Sequence, residues 1–192
     1  MIQGVLFDMD GLMFDTEPIS RDGWIEAGRE MGVPLDESVV LQLRGTSAAH
    51  GDDVLRKAFG DSFDCAQARE IRTRYLTETL ERIGIPLKDG LLELLSYLKE
   101  QGIPAALATS TNRERAMDYL RRAGVDKYFS GSVCGDEAGR SKPYPDIFLR
   151  AAREIGRDPR DCMVLEDSPN GLRAGLAAGC VTVMVPDLTP PT

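Results

Sequence analysis

Short apolar runs alternate with helical periods along this chain. Residues 2–7 read as a short buried strand that stops at Asp8. From Thr16 the pattern turns helical. Thr16 is a candidate cap, Glu17 and Pro18 fall in the first turn, and Trp24, Ala27 and Met31 recur at helical spacing until Gly32. Three more helical stretches follow, "DESVVLQL", "SAAHGDDVLRKAFG" and "CAQAREIRTRYLTETLERIG", the last closing at Gly84. No strand is predicted between residues 16 and 84.

Beyond "IPLKDG" the rhythm is helix, strand, helix, strand. "GLLELLSYLKEQG", "NRERAMDYLRRAG", "PDIFLRAAREIG" and "PNGLRAGLAAG" are predicted helices. "IPAALATS", "GSVCG", "CMVLED" and "VTVMVP" are predicted strands. This alternation implies βα units and a parallel sheet covered on both faces. The first strand belongs to that sheet. Residues 1–15 and 85–192 therefore form an α/β core domain, and residues 16–84 an all-helical insertion. The crossings near residues 13–17 and 84–90 are the expected hinges.

Composition narrows the setting. The chain has 192 residues, 42% hydrophobic and 28% charged, which suits a soluble globular core with a small insertion. A net charge of −8 argues against binding nucleic acid or an anionic membrane. It also requires that an anionic substrate be drawn in by a local positive site. No run of about 18 apolar residues suggests a membrane span. No signal peptide is visible, so a cytoplasmic location is expected. Cys65, Cys134, Cys162 and Cys180 are scattered, and His50 is the lone histidine. A Cys/His zinc site is disfavoured. The thiols read as small hydrophobes in a reducing cytosol, and His50 as a surface residue. With no exposed apolar stripe evident, a monomer is expected.

Candidate chemistry sits where strands end. In parallel α/β sheets, ligands bind beyond the carboxyl ends of the strands. There the chain places Asp8 with Asp10 just beyond, then Thr109-Ser110, then Glu166-Asp167. Crowded carboxylates at the end of a buried strand are costly unless a cation joins them. Hard oxygen donors without a His/Cys cluster favour Mg²⁺. Thr109, the backbone N–H groups near Ser110 at a helix start, and Lys142 in "SKPYPD" are candidate phosphate ligands. Together the parts suggest phosphoryl transfer. Asp8 would attack phosphorus, and Asp10 would exchange protons with the leaving alcohol and then with water. Each part has a plainer reading. Asp8 and Asp10 can mark a turn, Lys142 a solvated surface, Thr109 the cap of the helix near Arg113, and Glu166-Asp167 the cap of the helix at Pro169. "GLRAGLAAG", with Gly171, Gly175 and Gly179 four apart, suggests a helix packed closely on the sheet.

"FDMDGLMFDTE", "LATST", "SKPYPDIF" and "LEDSPNG", in this order, resemble the four motifs of the haloacid dehalogenase-like superfamily. The helical insertion is similar to the α-helical cap of its β-phosphoglucomutase/phosphatase-like branch. The resemblance implies a three-layer, Rossmann-like, doubly wound parallel sheet of order 3-2-1-4-5 with an inserted, mobile four-helix cap. It implies Asp8 as nucleophile, and Asp10 as acid/base that also ligates Mg²⁺ through its carbonyl. Asp167 takes the third metal position with Glu166 behind it, and Thr109, Ser110 and Lys142 bind phosphate. Closure of the cap would exclude water. Substrate choice is expected from Trp24, from Arg44, Gly45, Thr46 and Ser47 in the loop "LRGTSAAHG", and from Thr111 and Asn112. Trp24 could equally be core of the insertion.

Two departures matter within the branch. Its mutases carry a histidine where this chain has Ser20, and an arginine whose nearest counterpart is Ala48, with Arg44 four residues earlier. A mutase must grip a bisphosphate and turn it over. The expectation is therefore a Mg²⁺-dependent phosphatase acting on a small phosphorylated metabolite, a sugar, polyol or nucleoside phosphate. The alternative is a phosphosugar mutase. A receiver module, which would hold a long-lived aspartyl phosphate, is disfavoured by the helical insertion and by Asp10. Dehalogenation is disfavoured because that branch lacks an acid at the Asp10 position.

Overall fold

The computed structural model describes residues 1–43 and 48–187, so Arg44, Gly45, Thr46 and Ser47 lie outside the described residues. In chain order the elements are β1 (Gly4–Phe7), α1 (Glu17–Met31), α2 (Glu37–Leu43), α3 (Ala48–Phe59), α4 (Cys65–Ile83), α5 (Leu91–Glu100), β2 (Ala105–Ala108), α6 (Arg113–Arg122), β3 (Phe129–Val133), α7 (Asp146–Glu154), β4 (Cys162–Glu166), α8 (Pro169–Ala177) and β5 (Val181–Met184). They group into two compact units, Met1–Asp15 with Ile85–Thr192, and Thr16–Gly84. None of the described helices is long and apolar enough to cross a membrane.

The first unit is built on a five-stranded sheet of order β3-β2-β1-β4-β5. Every pairing is parallel. This is the expected 3-2-1-4-5 order. β1 and β2 are buried along their whole length, which explains their unbroken apolar text. On one face Leu6, Ala106, Ala108 and Val164 pack with Ile147, Phe148, Ala151 and Ala152 of α7 and with Ala174 of α8. Burying each large apolar side chain contributes about 1.5–3 kcal/mol. Phe7 and Leu107, buried too, face the other way, and Phe7 meets Phe129 edge to face. The close packing expected of "GLRAGLAAG" is present, since a Cβ on Gly175 would come within 2.7 Å of Thr182 Oγ1. The edge strand β5 departs from the sequence reading. Val181, Val183 and the following Val185 are exposed, so the chain does present a short apolar stripe.

In the helical unit α1 packs on α4 through Ala27, Ala68 and Ile71, with Trp24, Met31 and Phe63 around them. A second cluster joins Leu35, Val40, Leu43, Leu55 and Cys65. Asp64 caps α4 by accepting from Gln67 N at 2.9 Å. Thr16 stands at the start of α1, but its side chain makes no capping bond and is buried. His50 is exposed, as expected.

The crossing segments are tied together on the side of the first unit. Asp15 N donates to Pro86 O at 2.9 Å, and Lys88 N to Met13 O at 2.9 Å. Lys88 Nζ bridges Asp15 and the buried Asp187 at 2.6 Å each. All four cysteines are free and buried. Burial pushes the Cys180 thiol up to about 12 and the Cys134 thiol up to about 11.

Candidate active site

Sheet register brings the acids together. Phe7 pairs with Leu107 of β2 and with Leu165 of β4. One residue further on, Asp8 stands between the ends of β2 and β4, beside Ala108 and Glu166. Asp8 N donates to Leu165 O at 3.1 Å, extending the ladder past β1.

Lys142 closes this cluster. It comes from the loop between β3 and α7, yet its side chain is only 7% exposed. Its ammonium donates to Asp8 Oδ1 at 2.5 Å, Glu166 Oε1 at 2.6 Å and Ala108 O at 3.1 Å. Three N–H groups thus meet three acceptors. The Phe148 ring, its centre 5.1 Å from the ammonium, adds a cation–π contact.

Glu166 is 1% exposed and has both oxygens engaged. Oε1 takes Lys142, and Oε2 accepts from Ser168 N and Ser168 Oγ, each at 2.9 Å. Ser168 Oγ in turn accepts from Gly171 N at 3.0 Å and caps α8. Only a glycine fits at 171, because a Cβ there would lie 1.7 Å from Glu166 Oε1. Glu166 is therefore a support for Lys142, locked to a helix start.

Carboxylate oxygens of Asp8, Glu166 and Asp167 all lie within 4.8 Å of one another. Burial pushes the Asp8 carboxyl well above its usual range; Lys142 opposes this, while Glu166 and Asp167 add to it. Burial also works against the Lys142 ammonium, but Asp8 and Glu166 outweigh it and hold its pKa above the ordinary lysine value. Three acids around one ammonium leave the cluster short of positive charge. The donors are all hard oxygens, with no imidazole or thiolate among them, so the set fits a divalent cation such as Mg²⁺. Gly11, at φ 81°, allows Asp167 to approach. A Cβ at that position would come 2.3 Å from Asp167 Oδ2 and 3.4 Å from Asp187 Oδ2.

The "TST" turn after β2 forms the other wall. Thr109 is buried, and its Oγ1 accepts from Thr111 N at 3.1 Å. Ser110 is exposed, with its carbonyl pressed so closely on Gly135 that a Cβ there would fall 2.1 Å from it. Thr111 Oγ1 donates to Asp10 Oδ2 at 2.7 Å. Asn112, exposed, caps α6 by accepting from Arg115 N at 3.0 Å. Asp10 does stand at a turn, with Met13 N donating to Met9 O at 2.8 Å, but the three other plainer readings are replaced. Asn112 rather than Thr109 caps α6, Ser168 rather than Glu166-Asp167 caps α8, and Lys142 is buried.

Asp8, Lys142, Glu166 and Asp167 thus form one cluster, and Thr109, Thr111 and Asp10 a hydrogen-bonded neighbour set. Trp24 belongs to the helical unit, where the Arg72 guanidinium lies 5.9 Å from its ring. Arg72 also donates to Ser20 Oγ at 2.5 and 3.1 Å. Sequence reading missed Ser168, Gly171, Gly135, Lys88 and Asp187 as supports. Ser168 and Gly171 are inside "LEDSPNG" and could have been found as a cap and a close approach. Gly135 and Asp187 have no local signal, since their partners are distant in the chain.

A family model described as haloacid dehalogenase-like hydrolase matches residues 2–179. The "Phosphorylated carbohydrates phosphatase" of Thermotoga maritima is 32% identical, the match covering 93% of this chain and 82% of that protein. "Hexitol phosphatase A" of Escherichia coli is 33% identical, covering 95% and 82%. The crystal structure of CbbY from Rhodobacter sphaeroides in complex with phosphate superposes with a TM-score of 0.81 at 29% identity, covering 98% of this chain and 88% of that one. β-Phosphoglucomutase-like structures are also among the neighbours.

Proposed function

We propose, from the premise that this chain belongs to the haloacid dehalogenase-like hydrolases, that it is a Mg²⁺-dependent phosphatase acting on a small sugar or polyol phosphate. The observation that supports this most is the buried Asp8 carboxylate held by Lys142 at the carboxyl end of the central strand. The relatives named for carbohydrate and hexitol phosphates support the substrate class.

Asp8 attacks the phosphorus of the ester. The bond between phosphorus and the ester oxygen breaks, and Asp10 gives its proton to the departing alcohol. Water then attacks the aspartyl phosphate, loses a proton to Asp10, and phosphate leaves as Asp8 is regenerated. Lys142, Thr109 and the backbone around Ser110 face the charge on the transferred group. Asp8, Asp167 and the carbonyl of Asp10 would hold Mg²⁺, with Glu166 behind them. Bound there, the cation supplies neutralisation of the carboxylates and of the phosphoryl oxygens.

We assign substrate choice to the helical unit Thr16–Gly84, acting as a cap; within it Trp24 packs against the cluster of Ala27, Ala68 and Ile71, which favours its reading as core of that unit. Hydrolysis is favoured over mutase chemistry because Ser20 is tied to Arg72 and offers no imidazole.

The test is phosphate release from a panel of hexitol, hexose, pentose and nucleoside phosphates, with β-glucose 1-phosphate included. Multiple turnover with Mg²⁺, abolished by EDTA and by Asp8→Asn, is expected. Conversion of β-glucose 1-phosphate to glucose 6-phosphate without phosphate release would establish the mutase reading instead.

A further inference from the structure

We propose that Thr111 is a positioning residue that aims the Asp10 carboxyl group at the departing alcohol. This deepens the phosphatase reading and rests on it. The sequence places Thr111 among substrate contacts, but its hydroxyl donates to Asp10 Oδ2 at 2.7 Å.

What makes the contact informative is how firmly Thr111 itself is held. Its N–H donates to Thr109 Oγ1 at 3.1 Å. Its carbonyl accepts from Gly135 N at 2.9 Å. Thr109 N in turn donates to Val133 O at 3.1 Å, so the turn is anchored to the end of β3. Gly135 is seated against Ser110, where a Cβ would lie 2.1 Å from the carbonyl oxygen. The half-buried hydroxyl is therefore carried by a turn fixed at successive backbone points.

Asp10 lies beyond the end of β1, in a turn closed by Gly11 N donating to Phe14 O at 3.1 Å. Proton transfer needs the acid within hydrogen-bond reach of the leaving oxygen, and a misplacement of about 1 Å can cost 10²-fold. A threonine or a serine suits this place, since the short side chain keeps the hydroxyl close to the fixed backbone of the turn. Thr111 also belongs to the same short turn as Thr109. The group that binds phosphate and the group that orients the acid are thus one rigid piece. Seating the phosphate and aiming the proton are mechanically linked.

The experiment compares wild type, Thr111→Val, Thr111→Ser, Asp10→Asn and the double variant Thr111→Val/Asp10→Asn on two probes. Sorbitol 6-phosphate has a poor leaving group that needs a proton, and p-nitrophenyl phosphate has one that leaves unprotonated. kcat/KM is the readout, since it reports the step in which the ester bond breaks. Thr111→Val should lower kcat/KM on sorbitol 6-phosphate by about 10–100-fold through kcat, with KM nearly unchanged, and by less than about 3-fold on p-nitrophenyl phosphate. Thr111→Ser should restore most of the loss. In the Asp10→Asn background the valine should add almost nothing. Equal losses on both probes, a loss confined to KM, or an undiminished loss in the Asp10→Asn background would overturn the inference while leaving the phosphatase reading intact. Wild type that releases phosphate from neither probe would overturn that reading and this inference with it.

Discussion

Both compact units carry surface ion pairs, but they differ in their most buried charge. In the α/β unit, Asp8, Glu166 and Lys142 are buried together at the sheet end, each side chain no more than 11% exposed. In the helical unit, the charged pairs Arg29–Glu26 and Arg74–Glu30 lie on the surface. Water screens the surface pairs, so their geometry is loosely enforced and their loss is tolerated. The buried cluster has no such relief. Removing one member leaves its partners charged in a poor solvent, so the cluster depends on every member being present.

The largest effect is expected from Lys142→Met. Without added divalent cation, the variant should lose about 3–5 kcal/mol in urea unfolding, because Asp8 and Glu166 are left crowded with no ammonium. Its kcat should fall by at least about 10²-fold, in the range set by removing a charge-stabilising donor. Unchanged stability would mean that water enters the cluster freely, and the contrast between the units would collapse.

Gly171→Ala should come next. The new methyl group must displace Glu166, and with it Lys142. Overpacking of this kind costs about 1–3 kcal/mol. A kcat lower by about 10-fold or more should accompany it, measured by phosphate release, since Lys142, which holds the proposed nucleophile Asp8, is bonded to the same side chain. A stable Gly171→Ala variant with full activity would show that Glu166 is not a support for Lys142.

The smallest effect is expected from Arg74→Ala, which removes a surface pair of the helical unit. Its melting midpoint should move by no more than about 2 °C. A larger shift would show that the helical unit also relies on its charges.

Much of the α/β unit was legible because its signals are local. A fully buried parallel strand must be apolar throughout, so β1, β2 and β4 announce themselves, and a polar residue at such a strand's end stands out at once. Asp8, Thr109 and Glu166-Asp167 were found that way. The helical unit was legible as helices, by period and by Gly32 and Gly84, but not as a site. Amphipathic text says which face is buried and little about what the other face meets. Trp24 and Ser20 show the limit. Their shared partner Arg72 lies 52 residues beyond Ser20, and no spacing rule links them.

Periodicity, strand-end chemistry and cap residues are properties of neighbouring residues, and these the sequence determined alone. They include the order of βα units, the helical insertion, and the acids and hydroxyls at strand ends. Contacts between distant segments were decided only by the tertiary structure, because the register of the sheet and the course of each loop set them. The register placed Asp8 beside Glu166, and the loop after β3 brought Lys142 to both. The turn after β2 put Thr111 against Asp10. The edge strand β5 carried Asp187 back to Lys88 and to the neighbourhood of Gly11.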